Sequence, residues 1–258
     1  MSLTVMEELN EKGQQYHICC KPGDVGRYVL LPGDPFRTDY IASFLDDAKL
    51  VAHNREHKTW TGSLLGVPVS VTSTGMGGPS AAIAIEELIH CGADTFIRIG
   101  TAGRLCPESQ DKAIQGIIAT GAVRSEGLTG EYVPYEYPAI ADRHVVAALA
   151  DSAGEFGYNF KEGIVHCKDS FYGQIDPDGL PGGDMLKSKW KAWERSRVMA
   201  TEMETATLLV ISSIRGCRAG SIVSFQSMEE TVNVVRSALI KLIEKDQKYR
   251  TFRKLAQL

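Results

Sequence analysis

Residues 28–37 read Tyr28-Val29-Leu30-Leu31-Pro32-Gly33-Asp34-Pro35-Phe36-Arg37. The apolar residues 28–31 predict a buried strand. Gly33 lets the backbone come close to a ligand at the carboxyl end of that strand, where open α/β sheets bind their ligands. Pro35 suits the first turn of a following helix, and Arg37 offers a planar set of donors to an anion. The stretch therefore predicts a strand, a turn and a helix that hold a phosphate, although an ordinary turn with a solvated arginine fits the same residues.

The rest of the chain has the composition of a globular protein that buries a sizeable core. Its 258 residues are 43% hydrophobic and 23% charged, and the formal net charge is −4. Such a balance excludes an overall basic surface that would recruit nucleic acid or an anionic membrane. An anionic substrate would therefore need a local cluster of arginine or lysine.

The six cysteines are scattered and form no C-x-x-C pair. This spacing is typical of small buried side chains in a reducing compartment, and not of a disulfide framework or a zinc site. No apolar run is long enough to span a membrane, and the N-terminus lacks a basic and then hydrophobic signal pattern. We expect a cytoplasmic protein with no metal site, no nucleic-acid partner and no membrane contact.

Short β-rich runs alternate with helical stretches along the chain. Strands are predicted at 67–72, 95–99, 114–120, 163–168 and 219–225, and helices at about 79–91, 143–155, 202–215 and from 229 to the C-terminus. Residues 172–183 are predicted to form a loop rich in glycine and proline. This alternation predicts a single α/β domain over residues 1–258, built around a mixed sheet.

Two glycine-rich turns follow predicted strands. The turn at 74–80 completes no G-x-G-x-x-G spacing and has no Walker lysine, so close packing explains at least two of its three glycines. The second turn carries Thr101 among glycines and follows Arg98, which stands inside a hydrophobic strand. A charge in a buried strand is costly unless it is paired, so Arg98 has either a structural ion-pair partner or a bound oxyanion. Arg98 and Thr101, together with Gly33 and Arg37, would form a single phosphate site.

Residues 201–209 read Thr-Glu-Met-Glu-Thr-Ala-Thr-Leu-Leu. One interpretation is a helix that starts here, with Thr201 as its N-cap and acidic residues in its first turn. The other is a sugar site, in which Glu204 accepts two vicinal hydroxyls and Met203 packs on an apolar ring face. Glu202 fits a structural role as well.

The chain resembles the nucleoside phosphorylases of the uridine phosphorylase type over nearly its whole length. The shared motifs are PGDPFR at 32–37, REHKTW at 55–60, STGMGGPS at 73–80, EELIHCGADTFIRIGTAG at 86–103, KDSFYGQ at 168–174 and TEMETATL at 201–208. The resemblance implies an α/β fold with a central mixed, partly barrel-like sheet flanked by helices. It also implies phosphorolysis, in which uridine and phosphate give uracil and ribose 1-phosphate.

By position, the resemblance assigns a role to each matching residue. The phosphate would be held by Gly33, Arg37, Arg98 and Thr101, with Arg55 from a neighbouring subunit. The ribose would be held by Thr101, Met203 and Glu204, with His17 from the adjacent subunit. The base would be held by Gly103, Lys168, Phe171 and Gln174. The catalytic residues among these would be Arg98, Glu204 and Gln174.

The implied chemistry uses inorganic phosphate as a co-substrate and no cofactor. Breaking the N-glycosidic bond builds positive charge on the ribose, which a bound phosphate dianion stabilises before it attacks. Negative charge moves onto the base, where Gln174 and a nearby cation can hold it. The family assembles as dimers, usually grouped into a hexamer with shared active sites. The resemblance adds a monovalent cation at the dimer interface near Glu56, Met76 and Ser80.

The chain departs from the family pattern at three places. Gln174 is not followed by the arginine that many members carry, and Lys168 is the nearest candidate to replace its charge. Ala102 stands where some relatives have a hydroxyl. After Phe225 the sequence is shorter than in the family, where a flexible loop usually closes on the base. Either the loop is deleted, which leaves the base pocket more open, or the sequence omits a mobile segment, and the omission is favoured.

Three other functions are weighed against uridine phosphorolysis. A purine nucleoside phosphorylase shares the phosphate site but usually has an aspartate after the late strand, and residues 221–224 contain none. A nucleosidase would not need Arg37, Arg55 and Arg98 together. A non-catalytic nucleoside-binding protein would fit the shortened segment after Phe225.

Overall fold

The strand that opens the quoted stretch, β1 (Tyr28–Pro32), lies inside the sheet and is buried along its whole length. Its side chains alternate between two hydrophobic cores. Tyr28 and Leu30 pack in one core, and Val29 and Leu31 pack in the other. A strand covered on both faces needs a continuous apolar run, which explains why the alternation of polar and apolar residues is missing here.

The computed structural model describes residue 10 and residues 12–255, which form a single α/β domain. The strands after β1 are β2 (Asp46–Asn54), β3 (His57–Leu64), β4 (Val67–Thr72), β5 (Thr95–Thr101), β6 (Gly103–Arg104), β7 (Gly116–Ser125), β8 (Ala139–Ile140), β9 (Phe160–Lys168), β10 (Ala200–Glu202) and β11 (Arg218–Ser224). The α-helices are α1 (Pro35–Ala42), α2 (Gly78–His90), α3 (Leu128–Tyr132), α4 (Arg143–Glu155), α5 (Tyr172–Ile175), α6 (Gly183–Arg195), α7 (Thr205–Ile214) and α8 (Met228–Leu255). Short 3-10 helices lie at Pro107–Gln110 and Pro177–Gly179.

The sheet is mixed, as predicted, with the strand order β2-β3-β4-β1-β5-β11-β7-β9-β10-β6 and β8 beside β7. The neighbours β4, β1, β5 and β11 are parallel, as are β7, β9 and β10, and the two groups meet at the antiparallel pair β11–β7. No strand pair among the described residues closes the sheet into a barrel. The chain nevertheless links the middle of the sheet to its far end, because β6 begins two residues after β5 ends and pairs with β10. This link is what the sheet has in common with a barrel.

Helices cover both faces of the sheet. Val145 of α4 and Leu239 of α8 belong to the core that holds Tyr28 and Leu30. Ile85 of α2 and Leu208 of α7 belong to the other core. Within the described residues, no helix is long and apolar enough to cross a membrane.

Three regions differ from the sequence-based expectations. Residues 46–64 form the β2–β3 hairpin, which the predicted elements did not include. The predicted loop at 172–183 contains α5 and a 3-10 turn, and α6 follows it. The prediction that Thr201 caps a helix is wrong, because Thr201 lies in β10 and α7 begins at Thr205. Backbone pairing of Thr201 with strands on both sides outweighs its preference for a cap.

The connection after β11 consists of residues 225–227 and forms a hydrogen-bonded turn. The Ser224 hydroxyl donates to the carbonyl oxygen of Ser227 at 3.0 Å and accepts from the Gln226 amide at 3.1 Å. Thr231 in the first turn of α8 donates to the same carbonyl at 2.9 Å. In this sequence a turn with these bonds joins β11 directly to α8.

A polar network ties α8 to the sheet. The Tyr28 hydroxyl donates to Asp246 at 2.7 Å, and the two terminal nitrogens of Arg218 donate to the same carboxylate at 3.0 and 2.6 Å. Burial acts to raise the pKa of Asp246, but the bonds from Arg218 and Tyr28 outweigh it and lower the pKa. The carboxylate is therefore held ionised where helix and sheet meet.

Replacing this carboxylate should destabilise the fold in a pH-dependent way. We expect Asp246→Asn to lower the free energy of unfolding at neutral pH by about 1–3 kcal/mol, because Arg218 and Tyr28 lose a charged acceptor. A carboxyl group with a lowered pKa in the folded state stabilises the fold at pH values above its pKa in the unfolded state. This stabilisation is lost as the pH falls through the pKa of the folded state. The difference between wild type and variant should therefore shrink on acidification, measured by urea unfolding at several pH values. Asp151→Asn, at an exposed position of α4, is the control; equal effects of both variants would contradict the account.

Candidate active site

A cleft of about 960 Å³ lies where β1, β5, β9 and β10 end. The return of the chain from β5 through β6 to β10 brings these strand ends to one place. Ten predicted site residues line the cleft: Gly33, Arg37, Arg98, Thr101, Gly103, Lys168, Phe171, Gln174, Met203 and Glu204. These ten residues, which were predicted to bind phosphate, ribose or base, therefore lie around a single cavity at the strand ends.

Arg98 is the buried charge in the wall of the cleft, with only 5% of its surface exposed. Its Nε donates to Glu202 Oε2 at 3.0 Å, and its Nη2 donates to Glu204 Oε2. Burial acts to lower the pKa of Arg98, but the two carboxylates outweigh it and raise the pKa above its ordinary value. The structural ion pair, one of the two alternatives for this arginine, is therefore present.

One terminal nitrogen of Arg98 remains available for an anion. Nη1 is buried and has no hydrogen-bond partner among the described residues. Leaving a buried donor unsatisfied is costly, and a guanidinium binds an oxyanion well. The ion pair and an anion site are thus compatible, because they use different nitrogens of the same side chain.

Glu202 and Glu204 are held by backbone amides as well as by Arg98. Glu202 Oε2 accepts from the amides of Glu204 and Thr205 at 2.9 Å each. Glu204 accepts from the amide of Gly77, in the glycine-rich turn before α2. Glu202 therefore has the structural role that the sequence left open, and the Glu204 carboxylate lies in the wall of the cleft, where it can accept hydroxyl groups.

The turn after β1 supplies the second arginine. Arg37 lies in the first turn of α1, which Asp34 caps by accepting from the amide of Phe36 at 2.9 Å. A Cβ on Gly33 would lie 3.2 Å from the carbonyl oxygen of Gly75, so this turn packs closely against the turn after β4. Arg37 and Arg98 both line the cleft, together with the carboxylates of Asp34, Glu56, Glu202 and Glu204.

The end of the cleft that holds the predicted base-binding residues is centred on the hydroxyl of Thr201. Lys168 Nζ donates to Thr201 Oγ1 at 2.8 Å, and Thr201 Oγ1 lies 3.5 Å from Gln174 Oε1. Burial lowers the pKa of Lys168, although Glu202 and Glu204 oppose the shift. Phe171 is half exposed beside these polar groups. Sequence reasoning missed Thr201 here, because its residue type suggested a helix cap.

Two predicted residues, Arg55 and His17, do not line the cleft. Arg55 is exposed in the turn of the β2–β3 hairpin, with a left-handed φ of 52°. His17 contacts Glu87 through Nδ1 at 2.6 Å, and Glu87 also accepts from the amides of His17 and Ile18. Both residues were expected to serve a neighbouring subunit, and their positions agree with that expectation without testing it.

The residues suggested for a monovalent cation lie at the edge of the same cleft. The Ser80 hydroxyl donates to Glu56 Oε1 at 2.8 Å, and the Met76 side chain is 86% exposed. Within residues 10 and 12–255, no group of three or more His, Cys, Asp or Glu could hold a metal ion. Carboxylate and hydroxyl oxygens are ligand types that hard cations prefer.

The fold and the cleft define an α/β protein with a polar cleft at its strand ends, and comparison with known families narrows this class. The family described as the phosphorylase superfamily matches residues 27–241. The chain belongs to the phosphorylase superfamily.

Individual relatives match most of the chain. A uridine phosphorylase of Treponema pallidum is 48% identical over 208 residues, which cover 81% of this chain and 80% of the relative. A uridine phosphorylase of Thermococcus kodakarensis is 50% identical over 215 residues, or 82% of this chain and 76% of the relative. A guanosine phosphorylase of Halorubrum lacusprofundi is 36% identical over 209 residues, or 81% of each.

Crowding Arg98 should weaken anion binding without unfolding the protein. A Cβ on Gly100 would lie 2.9 Å from Arg98 Nη2 and 3.1 Å from its Cζ, and the ion pairs keep the guanidinium from moving away. We expect Gly100→Ala to weaken the binding of inorganic phosphate about tenfold, or ~1.4 kcal/mol, measured by titration calorimetry. The control is Gly154→Ala, where a Cβ meets no atom within 4 Å. Unchanged phosphate affinity in Gly100→Ala would count against the assignment of Arg98.

Proposed function

We propose that this protein catalyses the phosphorolysis of uridine to uracil and ribose 1-phosphate. The observation that carries the proposal is Arg98, a residue of the cleft lining that is held by Glu202 and Glu204 and whose buried Nη1 has no hydrogen-bond partner among the described residues. An oxyanion is the natural partner of that nitrogen. The uridine phosphorylases of Treponema pallidum and Thermococcus kodakarensis, at 48% and 50% identity, support uridine as the nucleoside.

The phosphate would be held by Arg98, Arg37, Thr101 and the turn at Gly33. Cleavage of the bond between C1′ and the base leaves the electron pair on the base and positive charge on the ribose. A phosphate dianion under the ribose stabilises that charge, and one of its oxygens then forms the new bond to C1′. No step needs a metal-bound intermediate or a cofactor, so inorganic phosphate is the proposed co-substrate.

Glu204 would bind the ribose and Met203 would pack against it. The Glu204 carboxylate contacts Arg98 and the Gly77 amide, so it is fixed before substrate arrives. One guanidinium would then contact the phosphate through Nη1 and the ribose-binding carboxylate through Nη2. We infer that this shared contact sets the distance between nucleophile and sugar.

The base would lie against Phe171 and Gly103, with Gln174 and Lys168 stabilising the negative charge that it gains. Lys168 would replace the arginine that many family members carry after the glutamine. The three-residue connection after β11 supports an open base end, and a guanosine phosphorylase is among the relatives at 36% identity. Purine nucleoside phosphorolysis is therefore the second candidate function, and a non-catalytic nucleoside-binding protein is the third.

We propose self-association into a dimer or hexamer, in which Arg55 and His17 of one chain complete the cleft of another. Their positions outside the cleft of their own chain support this arrangement. A monovalent cation near Glu56 and Ser80 would belong to the same interface. A cytoplasmic location is part of the proposal and is supported by the six cysteines, none of which forms a disulfide in the described part of the chain. A role in pyrimidine salvage would follow from uridine as the substrate.

Uracil release from uridine should depend on phosphate. We expect release at millimolar phosphate and a loss of at least about 100-fold without it, because the nucleophile is then missing. Product chromatography with uridine, inosine and guanosine as parallel substrates would measure this. Release without phosphate would indicate a nucleosidase, preference for a purine nucleoside would indicate the second candidate, and no release from any nucleoside would indicate the binding protein.

Lys168→Ala should slow uridine cleavage and leave phosphate binding unchanged. Removing one group that stabilises developing negative charge typically lowers kcat by about 100-fold. Steady-state kinetics with each substrate varied would separate the KM values for uridine and phosphate. Lys161→Ala, at an exposed position of the same strand, is the matched control. Unchanged uridine turnover and base preference in Lys168→Ala would refute this role.

A further inference from the structure

The Thr201 hydroxyl is the centre of a polar cluster at the base end of the cleft. Oγ1 lies 2.8 Å from Lys168 Nζ, 3.2 Å from His166 Nδ1 and 3.5 Å from Gln174 Oε1. Two of these neighbours, Lys168 and Gln174, are the proposed base-binding groups. Thr201 is only 3% exposed, so its bonds are shielded from water.

The backbone and the methyl group fix the direction of this hydroxyl. Thr201 is in the middle of β10 and pairs with His166 on β9 and with Gly103 on β6. A Cβ on Gly103 would lie 3.2 Å from Thr201 Cγ2, so the methyl group occupies that side. A β-branched side chain held in this way has little rotamer freedom, and the hydroxyl stays with the polar cluster.

A second cavity of about 430 Å³, here called the back cavity, lies on the other side of the cluster. Its lining includes His166, Leu186, Trp190 and Trp193, with the two indoles 5.7 and 6.1 Å from the imidazole. Lys168 and Gln174 line both the back cavity and the cleft. These two residues therefore lie where the two cavities adjoin, and Thr201 Oγ1 accepts a hydrogen bond from Lys168 and makes a long contact of 3.5 Å with Gln174 Oε1.

The charges where the two cavities adjoin keep His166 neutral. Burial and the neighbouring Lys168 lower the pKa of His166 to about 4, although Glu202 opposes the shift. Lys168 is in turn influenced by Glu202, Glu204 and Cys167. At neutral pH the Thr201 oxygen therefore accepts from the lysine ammonium, while its own proton is directed to Gln174 or His166.

We propose that Thr201 is the positioning residue of the base subsite: its hydroxyl holds Lys168 and Gln174 as a closed wall between the cleft and the back cavity, and thereby limits the size of the base. This inference rests on the proposed phosphorolysis of uridine. Without the hydroxyl, Lys168 loses the hydrogen-bond partner that the structure gives it, and Gln174 loses a fixed amide orientation. A bicyclic purine could then extend toward the aromatic back cavity, which has room for a second ring.

The test compares Thr201→Val and Thr201→Ala, which remove the hydroxyl, with Thr201→Ser, which keeps it. In the valine and alanine variants we expect the KM for uridine to rise about tenfold and the KM for phosphate to stay within about twofold, because the arginines are untouched. The ratio of kcat/KM for uridine to that for guanosine should fall about tenfold. Thr201→Ser should restore both values.

Thr59→Val is the matched control, since Thr59 is a buried strand threonine whose hydroxyl contacts Thr72 at 3.0 Å outside the cleft. Unchanged uridine KM and selectivity in the hydroxyl-free variants would overturn the inference, as would a serine variant that behaves like valine or an equal rise in the KM for phosphate.

Calorimetric binding of uracil separates this result from a failure of the proposed function. Wild type that binds uracil without cleaving uridine refutes phosphorolysis alone, and equal uracil affinity in wild type and Thr201→Val refutes the positioning role alone.

Discussion

The burial of one positive charge, on Arg98, is the constraint on which the rest of the site depends. An unpaired guanidinium inside a sheet would be very costly, so the chain must bring carboxylates to it. Glu202 and Glu204 do this from a segment more than one hundred positions later in the sequence. The pairing joins β5 to the start of α7 and fixes the Glu204 carboxylate, which we propose binds the ribose. Because the pairing uses only two of the three guanidinium nitrogens, the same residue can also bind an anion.

The topology of the sheet makes this pairing geometrically accessible. β5 and β10 are separated in the strand order by β11, β7 and β9. The chain nevertheless turns directly from β5 into β6, which pairs with β10. This return places Gly103 of β6 beside Thr201 of β10, and Thr101 at the end of β5 lines the same cleft. The cleft therefore lies where the chain passes from β5 to β6, although no strand pair among the described residues closes the sheet.

Much of the fold followed from local patterns, and the failures have physical reasons. The continuous apolar run of β1 and the apolar spacing of α4 are strong signals, because the first is typical of a strand buried on both faces and the second of a helix with one buried face. The β2–β3 hairpin lacks such a signal, since β2 is largely exposed, β3 is mostly half-buried, and the residues of neither strand alternate strictly. Leu186, Trp190 and Trp193 have the spacing of one helical face and could have revealed α6. Thr201 was interpreted as a helix cap because the local preference of a threonine carries no information about pairing with strands that are distant in the sequence.

The site could be predicted from the sequence where the type of a residue allows only a few kinds of partner. Arg98 in an apolar strand required a partner, but the sequence could not decide between a carboxylate and an anion, and the structure has room for both. A crystal structure of the phosphate complex would test this account most directly. We predict a phosphate oxygen within hydrogen-bond distance of Arg98 Nη1, with Arg37 and Thr101 on the same anion and both glutamate contacts of Arg98 intact. A phosphate bound elsewhere in the cleft, or one that displaces Glu202 or Glu204 from Arg98, would contradict it.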